Sequence, residues 1–159
     1  MKKFYFIGIL IFIILFVILV NSLNKYVSTE DYLKDKINID IKTCNVILDN
    51  NTHDGFHGDG YHIVKARCNN DFINQVNNWN ELPLSTNIHA FLYGDDIDGV
   101  TYVAENRSIP EIENGYYYFI DRQNNLNSDI KLFKKGSFNF TLAIFDIDTN
   151  IFYYYEYDT

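Results

Sequence analysis

Residues 4–20 form an unbroken run of 17 side chains without a charge, opened by Phe4, closed by Val20 and preceded by Met1-Lys2-Lys3. As a helix rising 1.5 Å per residue the run reaches roughly 25 Å, near the lower limit for crossing a bilayer's hydrocarbon core. Leu23 and Tyr26 extend the effective span. Lipid offers backbone groups no partners, so the run reads as a helix despite its β-branched residues. The expected organisation is a cytoplasmic n-region at 1–3, a transmembrane signal-anchor helix at 4–23, a juxtamembrane helix at 24–36 and an extracytoplasmic domain at 37–159. The rival is a cleaved signal peptide, for which Val20-Asn21-Ser22 offers a tolerable site. The run exceeds the usual signal-peptide core and no A-x-A pattern follows, which favours an anchor retained in membrane lipid. Lys2 and Lys3 favour a cytoplasmic amino terminus, although Lys25, Lys34 and Lys36 oppose that orientation. The placement that follows is the plasma membrane, single-pass, with the carboxyl-terminal domain outside.

Charge narrows the partners. The formal net charge is −8, a sign repelled by phosphates, so nucleic acid is excluded as a natural partner. A cationic partner or bridging divalent cations fit the sign better, and a protein or cell-envelope partner is the expectation.

Beyond the run, Ser28-Thr29-Glu30-Asp31 supplies an N-cap and first-turn acids, and Lys34 and Lys36 suit a helix end. Ile37 to Leu48 predicts a strand with a bulge near Thr43, and Tyr61 to Cys68 predicts its partner. One register sets Leu48 against Val64, Val46 against Ala66, and Cys44 against Cys68, the only two cysteines. A structural disulfide is expected there; two reduced, buried thiols are the alternative. Phe72, Ile73, Val76 and Trp79 have helical spacing over 69–79. Further strands are expected at 88–93, 100–103 and 116–120, and Phe138 to Phe145 and Ile151 to Tyr157 flank a hairpin turn. The expected class is α+β, a small, largely antiparallel sheet packed with one main helix.

The most unusual stretch is His53-Asp54-Gly55-Phe56-His57-Gly58-Asp59-Gly60-Tyr61-His62. Imidazole and carboxylate together suit zinc, manganese or iron, and the glycines let separated side chains converge. His53, His57 and Asp59 are the candidate metal ligands, with Asp54 and His62 in reserve. Ordinary turn chemistry explains the same residues, with glycine supplying positive φ and Asp bonding its own backbone. Gly94-Asp95-Asp96-Ile97-Asp98-Gly99 lacks the ligand pattern of an EF-hand and reads as a solvated turn. Asp146-Ile147-Asp148-Thr149-Asn150 is similar to the D-x-D-x-T nucleophile loop of haloacid dehalogenase-like phosphatases, but Asn150 stands where that pattern has Thr. A hairpin turn is the expectation. Tyr116-Tyr117-Tyr118 and Tyr153-Tyr154-Tyr155 predict either cross-strand pairs or an exposed aromatic row.

The His53-Asp54-Gly55-Phe56-His57-Gly58-Asp59-Gly60 loop, Trp79-Asn80-Glu81-Leu82-Pro83-Leu84, Glu113-Asn114-Gly115-Tyr116-Tyr117, Ser137-Phe138-Asn139-Phe140-Thr141 and the Tyr-rich carboxyl end together carry a resemblance. The chain resembles a family of short membrane-anchored Gram-positive bacterial proteins, in which Gly is usual where Asp54 stands. The resemblance implies a bacterial, membrane-anchored placement and carries over no activity. No complete catalytic constellation is present in the residues, so the functional expectation is a non-enzymatic binding or interaction module on the outer face of the membrane. The alternatives are a metal-binding or metal-dependent hydrolytic domain using loop 53–62, and an immunity or companion protein.

Overall fold

The structure is a computed structural model, and it describes residues 13–16, 27–53, 58–97, 100–102, 109–124, 129 and 136–159. The chain divides into two units, 1–38 and 39–159.

In the first unit, residues 13–16 are helical and helix α1 spans Thr29–Ile37. Ser28 caps it, its Oγ accepting from the Asp31 N–H at 3.2 Å. Glu30 and Asp31 sit in the first turn and Lys34 and Lys36 in the last, so the charges complement the helix dipole. Asn38, at φ 57°, closes the helix in the left-handed conformation. The expected short helix is therefore present. The transmembrane helix expected at 4–23 is a correction: among the described residues no helix is long and apolar enough to cross a membrane. The expected single-pass plasma-membrane topology loses its support with that helix. Residues 4–12 and 17–23 lie outside the described residues.

The second unit is built on a six-stranded sheet in the order β1-β2-β8-β7-β6-β3, every pair antiparallel. The strands are β1 (Asn45–Asn51), β2 (Gly60–Arg67), β3 (Asn80–Glu81), β6 (Gly115–Asp121), β7 (Asn139–Asp146) and β8 (Ile151–Asp158). Strands β4 (Asp95–Ile97) and β5 (Val100–Tyr102) form a separate hairpin. Between β2 and β3 lie a 3-10 turn, Asn70–Phe72, and the four-residue helix α2, Ile73–Val76. Helix α3, Thr86–Tyr93, follows β3.

The centre of the sheet explains the aromatic sequence. From Ile151 to Glu156, β8 is buried at every residue, because a central strand is covered on both faces. Ile151, Tyr153 and Tyr155 share one face with Phe140, Leu142 and Ile144, and this face packs on Ile88, Phe91 and Leu92 of α3. Phe91 is the hub, its ring centroid 5.0 Å from Phe140 and 5.4 Å from both Phe138 and Tyr157. On the other face Phe72 lies 5.0 Å from Phe145 and 5.4 Å from Phe152. The β8 tyrosines thus fill the interior rather than forming an exposed row.

The turn between β7 and β8 is organised by Asp146. Its Oδ1 accepts from the Asp148 and Thr149 N–H groups, and its Oδ2 accepts from Thr149 Oγ1 at 2.5 Å. Asn150 takes the left-handed conformation at φ 56°. This carboxylate makes a turn rather than serving as a nucleophile. Gly115 opens β6 at φ 154°, where a Cβ would stand 2.0 Å from the Phe145 carbonyl oxygen, so only glycine fits.

Four expectations about secondary structure need correction. The α+β class with one main helix gives way to a mostly antiparallel sheet with a few short helices. The 69–79 helix shrinks to the 3-10 turn and α2, in keeping with the poor helix propensity of its five asparagines. Residues 88–93 are helical, not a strand. Their near-continuous apolar run carries no decisive period, and the Ser85 cap settles it, with Oγ accepting from the Ile88 N–H at 3.4 Å. The first strand begins at Asn45, and its irregularity falls between Val46 and Leu48 rather than near Thr43. Val46 faces Ala66 as expected, but the bulge carries Leu48 to Lys65 and sets Asp49 against Val64. The Cys44–Cys68 disulfide is present, with Cα atoms 4.2 Å apart.

Candidate functional site

The His-rich loop closes the β1–β2 hairpin. Thr52 and Tyr61 bridge its base: the Thr52 N–H donates to the Tyr61 carbonyl at 2.8 Å, and the Tyr61 N–H donates to Thr52 Oγ1 at 2.9 Å. A Cβ at Gly60 would lie 2.8 Å from the Thr52 carbonyl oxygen, which accounts for that glycine. Of the expected ligands, His53 directs Nδ1 to Asn51 Oδ1 at 2.9 Å and Nε2 to Asp158 Oδ2 at 3.0 Å. Nδ1 is engaged by Asn51, whereas the buried Nε2 lies near Asp158 without making a hydrogen bond. His62 is buried, its Nε2 2.8 Å from Asp49 Oδ1 and its ring edge-on to Tyr154. Asp59 is exposed. His57 and Asp54 lie outside the described residues. Among the described residues no three His, Cys, Asp or Glu side chains gather as a ligand set.

What the loop does join is an ionic clasp at the carboxyl end of β8. Arg122, just after β6, pairs through Nη1 with Glu156 Oε1 at 2.5 Å and through Nη2 with Asp158 Oδ1 at 2.7 Å. The same Nη2 donates to the Phe140 and Tyr157 carbonyls at 3.1 Å each. Glu156 is only 3% exposed and also accepts from the Tyr154 hydroxyl at 2.7 Å. A carboxylate so far from water is tolerable only with such partners. Asp158 then bridges Arg122 to His53. These charges are spent on one another and tie the last strand to β6, β7 and the β1–β2 hairpin.

The opposite arrangement occurs beneath α3. Leu82, Pro83 and Leu84, arriving from β3, join His89 and Tyr93 of α3, Glu111, Ile112 and Glu113, and Ile144 of β7 around a cleft of about 340 Å³. Its volume lies near the lower end of the roughly 300–1,000 Å³ usual for small-molecule sites. The lining is largely aliphatic, with acids at its border. Glu111 and Glu113 are exposed, and Glu111 Oε1 lies 3.9 Å from His89 Nε2. Tyr93 donates its hydroxyl to the Pro110 carbonyl at 2.7 Å, pinning the 109–112 segment to α3. Burial pushes the Tyr93 phenol well above its ordinary range, and the nearby Glu111 charge and Tyr153 push it the same way. It is therefore a neutral donor at physiological pH.

Leu82, Pro83, Leu84 and Glu113 stand in the stretches that carry the resemblance, but none of the cleft residues was read from sequence as part of a site. The available signal was weak: Leu82-Pro83-Leu84 and Glu111-Ile112-Glu113 each hold apolar residues in loops where solvent would otherwise be expected. No family model, curated protein or solved structure matches the chain.

Proposed function

We propose that this protein is a non-enzymatic binding module that receives a small apolar group in the cleft between α3, the 82–84 loop and the 111–113 segment. The observation that carries this reading is the aliphatic cleft itself, concave and bordered by polar side chains without a catalytic arrangement. Arg122, Glu156 and Asp158 of the clasp pair with one another, whereas the cleft presents a concave, largely aliphatic surface. A six-carbon alcohol, at about 0.6 kcal/mol per non-hydrogen atom, should bind with a dissociation constant of about 1 mM. Calorimetry or ligand-observed NMR with 1-hexanol tests the proposal on wild type and on Leu84→Trp, whose indole would fill the cleft. Binding is expected in the former and abolished in the latter. Equal binding to both, or chemical conversion of a ligand held in the cleft, would refute it.

A further inference from the structure

The border of the cleft says which apolar group belongs there. Glu111, Ile112 and Glu113 are consecutive, and all three line it, so two acidic residues border an apolar floor. His89 is the one basic side chain among the lining residues, and it lies at the outer limit of ion-pair distance from Glu111. Both carboxylates are largely in water, so neither is consumed by a buried partner as Glu156 is. An anionic ligand would meet these charges at the mouth, and a neutral one would gain nothing from them. A cationic head on an aliphatic tail matches both parts, the tail against Leu82, Leu84, Ile112 and Ile144 and the head between the glutamates.

Resting on the binding reading above, we infer that the occupant is a small amphiphilic primary amine, with an ammonium head and an aliphatic tail of about six carbons. The concave volume, too small for a folded surface and suited to a short tail, favours a free small molecule over a protein segment. The net charge of −8 adds long-range attraction of the same sign.

The test compares n-hexylammonium, 1-hexanol and hexanoate on the full-length protein at low ionic strength, by ligand-observed NMR. The ammonium is expected to bind about three- to tenfold more tightly than the alcohol, and hexanoate most weakly. In the double variant Glu111→Gln/Glu113→Gln the ammonium-to-alcohol ratio should fall towards one, and about 0.5 M salt should compress it in the wild type. Alcohol or hexanoate binding as tightly as the ammonium would overturn the inference while leaving the binding cleft standing. An acetylated, amidated lysine peptide binding more tightly than n-hexylammonium would overturn the small-molecule assignment. If none of the three six-carbon probes binds, the cleft reading itself falls.

Discussion

The clasp and the cleft lie on the same sheet and treat charge in opposite ways. At the clasp, Arg122 joins Glu156 to Asp158, His53 lies 3.0 Å from Asp158, and Glu156 is buried against Arg122 and the Tyr154 hydroxyl. At the cleft, Glu111 and Glu113 stand in water over an aliphatic floor. Charges enclosed among themselves hold a fold together, because separating them strands a desolvated ion. Charges left at the rim of a concave apolar surface add little stability and remain available to a ligand.

The contrast is open to direct attack. Arg122→Ala should have the largest effect, destabilising the protein by about 3–5 kcal/mol in urea denaturation by leaving Glu156 buried without its cation. A loss under about 1 kcal/mol would mean that the clasp is a surface pair after all. Replacing Cys44 and Cys68 with Ala, which frees a loop of 24 residues, should cost about 3.5 kcal/mol on the chain-entropy model. Removing the Tyr93 hydroxyl with Phe should cost about 1 kcal/mol through its lost bond to Pro110. At the cleft, Glu111→Gln and Glu113→Gln should each change stability by less than about 0.5 kcal/mol. A larger loss would show the rim to be structural.

Alkaline pH sharpens the same comparison from the aromatic side. Burial raises Tyr93, Tyr117 and Tyr153 above the ordinary phenol value, with Glu111 and Tyr153 adding to the first, Asp129 to the second and Asp146 to the third. Each phenol ionises more readily in the unfolded chain, so above pH about 10 the unfolded state holds fewer protons. Their contribution is complete below that pH and is lost as pH rises through the raised folded values. Tyrosinate absorbance should therefore lag behind that of free tyrosine, then rise together with loss of the folded circular dichroism signal.

Much of the sheet was legible in the chain because its signals are local or periodic. The aromatic alternation of 138–157, the Asp146 turn and the Ser28 cap each act within a few residues of one another. The Cys44–Cys68 bridge followed from pairing Val46 with Ala66, a register the bulge at Ile47 did not disturb. Leu48 was misplaced because that bulge has no strong residue signature. Helix α3 was missed because Ile88, Ala90, Phe91, Leu92 and Tyr93 nearly fill its length, leaving period 2 and period 3.6 indistinguishable. The His-rich loop was conspicuous as composition, yet His53 and His62 are held by Asn51, Asp158 and Asp49, partners that no spacing announces. The cleft was illegible for a related reason. Its wall is assembled from four separate stretches, and only folding brings Leu84, Glu111 and Ile144 to one cleft.

The central claim is that the cleft, and not the clasp, meets the ligand. Methyl NMR of the protein titrated with 1-hexanol tests it most directly. The account predicts saturable shifts at Leu82, Leu84, Ile112 and Ile144, with Val64 and Ala66 on the opposite face unmoved. Shifts that favour Val64 and Ala66, or spread evenly over both faces without saturating, would contradict it.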